Sequence, residues 1–309
     1  MIKLNVFSCP ICKKGEIVNN QGEFICKNKE CKNSYLTILG KPVLVNFNNS
    51  VIQKEEILNK QGQSIIQRNE IKLITILKKI IFGNGYITKK NISKISENIS
   101  IKVDSKILVI GGGTIGSGLN DFYKKFNNNI DSFDIYYSTN IDFIADAHDI
   151  PVMSNHYDLV IVQAVLEHVI DPFKVVEECF RVIKYGGHIY AETPFMQQVH
   201  EGPYDFIRFT DSGHRSLFQK FKLIKSGTIA GVGTSLMWSL GYFFSGIFRS
   251  YKVGLGFRIL FFWLRFVDRI IPEKYNIDGA SGIYFYGIKD SSFRGISNFE
   301  LISYYKGAQ

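Results

Sequence analysis

The stretch Lys106-Ile107-Leu108-Val109-Ile110-Gly111-Gly112-Gly113-Thr114-Ile115-Gly116-Ser117-Gly118 decides the fold. Its aliphatic half reads as a strand covered on both faces, since such a strand needs no polar alternation. The glycines then form a turn into a helix expected over 119–126. A glycine turn between strand and helix lets the backbone pass close to a ligand and aims helix N–H groups at it. Gly111, Gly113 and Gly116 fit G-x-G-x-x-G, the fingerprint of a nicotinamide dinucleotide site, but the turn alone does not distinguish one nucleotide-like cofactor from another.

The residues that distinguish them lie downstream. A second strand over 130–135 carries Asp134 near its carboxyl end, and a third over 141–146 ends in Asp146. The fourth runs from Tyr157 to Gln163 and opens into Leu166-Glu167-His168-Val169. Asp171-Pro172 begins a helix with proline at its first position. Gly186 and Gly187 then lead into a fifth strand over 188–193. In this order the motifs over about 104–228 resemble class I S-adenosylmethionine-dependent methyltransferases.

The resemblance implies an α/β fold with a seven-stranded, doubly wound, Rossmann-like sheet and S-adenosylmethionine as cofactor. It implies that Gly111 and Gly113 line the methionine and ribose, and that Asp134 accepts the ribose hydroxyls. Asp146 would take the adenine amino group, Ala147 would offer its N–H to the ring, and Gln163 would lie near the methionine. Two positions depart from the family: the acid usual before the first glycine is Val109, and the usual third glycine is Ile115, with Gly116 restoring the turn one residue later.

Methyl transfer asks mainly for in-line positioning, with a base only when the acceptor is a hydroxyl. Candidate bases fall in two loops, Glu167-His168 and the segment after Pro194, which holds His200, Asp205 and Arg208 among aromatics. His200 could take a proton, Asp205 could orient it, and Arg208 could bind an anion of the acceptor or pair with Asp205 to hold the loop shut. His168 is a further candidate. The H-x-x-P-x-D-x-x-R-F-T run from His200 to Thr210 resembles methyltransferases of surface-glycan biosynthesis. That implies a sugar or glycan precursor, lipid-linked or free, as acceptor. The rival readings are a small lipid or quinone-like acceptor, and a non-catalytic scaffold on a degenerate cofactor domain. His156 and His214 are expected at the surface, and Cys179 in the core.

The other four of the five cysteines, Cys9, Cys12, Cys26 and Cys31, form two close pairs. In a chain read as cytosolic, two such pairs point to one tetrahedral structural zinc rather than disulfides. Residues 7–47 resemble the small zinc-ribbon subunit that activates methyltransferases, here fused in cis. The expected organisation is therefore a ribbon over 1–48, a helical connector or lid over 49–104, with amphipathic helices over 50–82, and the methyltransferase domain over 105–309.

The chain has 309 residues, 45% of them hydrophobic, which excludes a disordered or disulfide-stapled polypeptide. Its net +9 is uneven: +4 over 1–50, +5 over 51–105, −4 over 106–228 and +4 over 229–309. Residues 227–248 lack charge but include five glycines, while 257–271 carries Arg258, Arg265 and Arg269 on one helical stripe amid apolar residues. The stretch 236–275 is thus expected to be a helical insertion before a last strand over 276–288, either packed on the domain or resting peripherally on the inner face of a membrane. No nucleic-acid partner is expected.

Overall fold

The computed structural model describes residues 6–59, 85–98 and 105–309. Most of the helical reading over 50–82 lies outside them. Within them, α1 (Lys54–Asn59) begins that stretch, and α2 (Tyr86–Asn98) fills the connector.

The amino-terminal module is built from short antiparallel strands: β1 (Ile17–Asn20), β2 (Glu23–Cys26) and β3 (Ser34–Tyr35), then β4 (Thr37–Ile38) paired with β5 (Lys41–Pro42). It docks on the larger domain at two places. Phe7 bridges to Val152, and Val43 forms a parallel bridge to Ile144, where the Leu44 N–H donates to the Ile144 carbonyl at 2.8 Å.

The main sheet comprises β6 (Ile107–Ile110), β7 (Ile130–Asp134), β8 (Phe143–Ile144), β9 (Tyr157–Gln163), β10 (Ile183–Pro194), β11 (Lys222–Ala230) and β12 (Gly282–Ile288). Its order is β11-β12-β10-β9-β6-β7-β8, with β12 antiparallel to both neighbours and the pairs from β10 to β8 parallel. Alternation along the buried strands sorts side chains into two cores. Leu108, Ile110, Val160 and Val162 face α4 (Pro172–Val182) and the amino-terminal module. Ile107, Val109, Leu159 and Ile161 face α2 and α3 (Asn120–Phe126), which deliver Ile92, Ile95, Phe122 and Phe126. The sheet is therefore covered on both faces, as its unbroken apolar strands require.

Three expectations of extent need correction. The third strand is only Phe143–Ile144, because Asp146 caps a 3₁₀ turn instead of continuing it. The fifth begins at Ile183, with Gly186 at φ +82° absorbing a register shift before His188. The last begins at Gly282 rather than 276, since the Asn276 side chain accepts from the Val232 N–H and the segment before the strand is helical.

The expected insertion is present as α6 (Val232–Ile247), α7 (Tyr251–Leu260), α8 (Leu264–Val267) and α9 (Glu273–Asn276), so the helix foreseen over 257–271 is broken. Gly241 and Gly254 let α6 and α7 cross closely: a Cβ on Gly241 would meet Arg258 Cγ at 2.3 Å, and one on Gly254 would meet the Gly241 carbonyl oxygen at 2.4 Å. Asp268 caps α6 by accepting from the Gly231, Gly233 and Thr234 N–H groups. The arginine stripe is split: Arg258 faces the protein, Arg265 is half-buried and Arg269 is exposed. Arg258 is 3% exposed, with its guanidinium over the rings of Trp238 and Tyr251. Among the described residues no helix is long and apolar enough to cross a membrane.

His214 is not at the surface. It sits on α5 (Asp211–Leu217), 1% exposed, packed edge-on to Phe218 and Phe285, and burial pushes its imidazole down to about 3 from 6.5. His156 is half-buried against Tyr157. A neutral histidine in the fold and a protonated one in the unfolded chain make stability fall as pH drops below 6.5, continuing toward the folded value. Between pH 7 and 5 this contributes about 2 kcal/mol of lost stability. Urea unfolding at the two pH values should therefore show a smaller pH effect in His214→Phe than in the unsubstituted chain, and equal slopes would contradict the assignment.

Candidate functional site

The parallel strands end at one edge of the sheet, and a cavity of about 1170 Å³ opens there. Pockets for a single drug-sized ligand run up to roughly 1,000 Å³, so this one has room for a cofactor and an acceptor together. Strand register fixes its floor. Ile110 is level with Phe133 on one side and Val162 on the other, so Gly111, Asp134 and Gln163 follow as the next row. Gln163 is in turn level with Glu192.

The glycine turn fits its neighbours tightly. Gly111 holds φ +75°, where a side chain is strained, and a Cβ on Gly113 would lie 2.6 Å from both Asp134 Oδ2 and the Tyr136 hydroxyl. Asp134 Oδ2 accepts from the Gly113 N–H at 2.8 Å and Oδ1 from the Ile135 N–H at 2.8 Å, so the carboxylate is held in a fixed orientation at the cavity. Gly116 admits the Gln163 amide: a Cβ there would lie 1.6 Å from Gln163 Oε1. The Gln163 Nε2 donates to the Ser117 carbonyl and to Glu192, while its buried Oε1 has no hydrogen-bond partner. An acceptor atom in that state suits the ammonium end of S-adenosylmethionine, and the ribose suits Asp134. The residues at the glycine turn thus fit the cofactor, whose sulfonium methyl is the transferable group when bound.

The adenine side is arranged differently from the expectation. Asp146 is 4% exposed, and both its oxygens are engaged. Oδ1 pairs with the His148 N–H and Nδ1, and Oδ2 accepts from the Ser50 hydroxyl and the Val51 N–H. Its carboxylate therefore ties the segment around Ser50 to the domain, and Asp146 also borders the cavity. Ala147 borders the cavity as expected.

Glu192 is a site residue that sequence reading missed. It is buried and takes hydrogen bonds from the Tyr190 hydroxyl (2.5 Å), Thr88 (2.7 Å) and Gln163 (2.7 Å). Burial raises its carboxyl above the usual range, against the pull of those three donors. Its one sequence signal is a lone acid within the strand Ile183–Pro194; Thr88, on the connector helix, gives none.

The acceptor loop holds His200 beside Glu167 and His168. The His168 and His200 rings meet edge to face at 4.9 Å, and each Nε2 stands 3.6 Å from Glu167 Oε1. Burial alone would lower the His200 pKa, but Glu167 and Asp205 outweigh it and the net direction is up. Asp205 is held below the usual carboxylate range, its burial overcome by Arg208 and the His200 N–H. Arg208 does not face an acceptor. Both its terminal nitrogens bind Asp205, and its N–H groups also reach the Gln197, Gln198 and Ile207 carbonyls. It closes the loop, and Phe206 pins that loop to the Glu167 carbonyl at 2.9 Å.

At the other end of the chain, Cys9 and Cys31 Sγ are 3.7 Å apart, as are Cys12 and Cys26 Sγ. Ligands at 2.3 Å on a tetrahedral zinc are separated by about 3.8 Å, so the four sulfurs have the spacing of a Cys₄ site. Gly15 makes room for them, since a Cβ there would lie 2.2 Å from Cys26 Sγ.

Residues 123–191 match the family model described as a methyltransferase domain. Over 58 residues the chain is 40% identical to the ubiquinone biosynthesis O-methyltransferase of Pectobacterium atrosepticum, covering 19% of this chain and 22% of that protein. The chain thus aligns with about a fifth of that relative's length. Among solved structures it is similar to phosphoethanolamine N-methyltransferase 2 of Haemonchus contortus (16% identity, TM-score 0.45, 72% of this chain and 59% of that one). It is likewise similar to a SAM-dependent methyltransferase of Archaeoglobus fulgidus (15% identity, TM-score 0.40, 70% and 99%). The family match and the cofactor edge of the sheet together support an S-adenosylmethionine-dependent methyltransferase.

Because Asp205 is the carboxylate that pairs with Arg208 and accepts from the His200 N–H, Asp205→Asn should cost about 2 kcal/mol or more in urea unfolding. Limited proteolysis should cut between 197 and 208 faster in the variant; an unchanged cleavage rate would show that the pair does not hold the loop.

Proposed function

We propose that the chain transfers the methyl group of S-adenosylmethionine to an oxygen of a sugar or glycan precursor. The observation that carries this reading is the continuity of one cavity from the Gly111–Asp134–Gln163 row to the Glu167, His168 and His200 cluster. S-adenosylmethionine held by the first group would supply the methyl group, the electron pair of its C–S bond staying on sulfur. The Glu167, His168 and His200 cluster would then face the acceptor hydroxyl and take its proton as the C–O bond formed. Lys225, Arg265 and Arg269 also line the cavity, alongside Asp268 and Glu273. Asp268 is spent on capping α6, and Glu273 accepts from Thr228.

A second reading, a small quinone-like acceptor, draws its support from the 58-residue likeness to the ubiquinone biosynthesis O-methyltransferase. Both readings require cofactor binding. Calorimetry should give one S-adenosylmethionine or S-adenosylhomocysteine per folded chain, and Asp134→Ala should weaken binding about 10- to 100-fold. Absence of heat would remove both in favour of a scaffold role. Radiolabelled methyl entering the polysaccharide or lipid-linked sugar fraction of an extract supports the first, and label in the quinone fraction supports the second.

We also propose a structural zinc on Cys9, Cys12, Cys26 and Cys31. With all four positions thiolate, no site is left for water, so its role is to hold the module that docks on β8. Zinc should survive dialysis against a weak chelator, and Cys12→Ser should lose one ion and lower the thermal midpoint. Protein that never contains zinc would exclude it.

A further inference from the structure

We propose that Glu167, His168 and His200 bind a second divalent cation, of the zinc, cobalt, iron or manganese class, at the acceptor end of the cavity. The starting observation is a pair of unsatisfied buried acceptors. The Glu167 side chain is 1% exposed, and among the described residues neither carboxylate oxygen has a hydrogen-bond partner. Burying a carboxyl group in that state is destabilising, and a bound cation would relieve it.

The two imidazoles do not compensate it by hydrogen bonding. At 3.6 Å, each Nε2 is beyond hydrogen-bond range of Glu167 Oε1. That distance instead matches the edge of a coordination polyhedron: nitrogen and oxygen ligands at 2.0–2.2 Å on a tetrahedral ion lie about 3.4 Å apart. The three donor atoms all lie within 4.8 Å of one another.

The surroundings orient the lone pairs. His168 Nδ1 lies 2.7 Å from the Tyr204 carbonyl, which can only accept, so Nδ1 carries the hydrogen and Nε2 is free to ligate. His200 Nδ1 stands 3.4 Å from Asp205 Oδ2, beyond a hydrogen bond, so Asp205 acts on that ring through its charge and through its bond to the His200 N–H. Asp205 and Arg208 then act as positioning residues for the site. Two imidazoles with one carboxylate select a first-row transition ion over magnesium or calcium, which take oxygen ligands. Glu167, His168 and His200 all border the cavity, so the remaining coordination positions face the acceptor space and suit one or two acceptor oxygens.

Use of the ion in catalysis rests on the methyltransferase reading above, whereas its binding does not. The test is titration with Co²⁺ of the full chain carrying one equivalent of zinc, followed by calorimetry and visible absorption. The expected result is one further ion per chain with a ligand-field band, and at least a tenfold loss of affinity in Glu167→Gln. His168→Asn, which can still donate to the Tyr204 carbonyl, should lose affinity likewise, and circular dichroism checks that each variant is folded. No cobalt binding by the unsubstituted chain, or equal binding by both folded variants, overturns the site. S-adenosylmethionine binding without cobalt binding removes the metal site alone. Cobalt binding without cofactor binding keeps the metal site and removes the methyltransferase reading.

Discussion

The parallel register of β6 between β7 and β9 is the constraint on which the rest depends. Because Ile110 is level with Phe133 and Val162, the first residues past that level are Gly111, Asp134 and Gln163. Three polar or flexible positions, distant in sequence, become neighbours in one row. Side chains alternate with a period of two, so a slip of one residue in any strand would point its member of the row into an apolar core. The fully buried strands prevent that slip, since it would exchange the two cores that sandwich the sheet. Packing energy in the sheet is thereby converted into precision at the cavity.

The same register explains what could be read from the sequence. Each of the three strands is a run of apolar residues with a change of character at its end, so Gly111, Asp134 and Gln163 were visible as strand-end residues. Glu192 belongs to the same row, but Thr193 and Pro194 continue its strand past it, so no break marked it. Its partners Thr88 and Asn91 come from α2, whose arrival over the sheet no local pattern announces. Asn91 bonds the Tyr190 hydroxyl, and Thr88 bonds Glu192, so a segment readable only as a connector forms part of the cavity wall.

Asp146 shows a different limit. Its place just past a strand is legible in the sequence, while its partners are not, because Ser50 and Val51 lie nearly a hundred residues away. Through His148, whose Nε2 accepts from the Asp171 N–H at 3.2 Å, the same carboxylate reaches the start of α4. One buried acid therefore couples the segment around Ser50, the loop after β8 and a helix of the domain. The amino-terminal module is fastened to β8 directly, and the segment that follows it is fastened to the cavity edge of the sheet.

The insertion carries the same lesson about partners. Helical periodicity placed Arg258, Arg265 and Arg269 on one stripe, and a basic stripe on an apolar helix is ordinarily the solvated or headgroup-facing side. Here the helix is broken after Leu260, and Arg258 turns inward while Arg269 stays exposed. Arg258 exchanges water for the faces of two aromatic rings, a trade that a guanidinium tolerates because it is weakly hydrated and stacks well. Arg265 and Arg269 reach the cavity, and Arg269 also lies over Tyr86 at the start of α2. Periodicity fixes which residues share a face; only the close crossing permitted by Gly241 and Gly254, and the Asp268 cap that folds the hairpin back, determine what that face meets. The insertion thereby becomes a wall of the cavity.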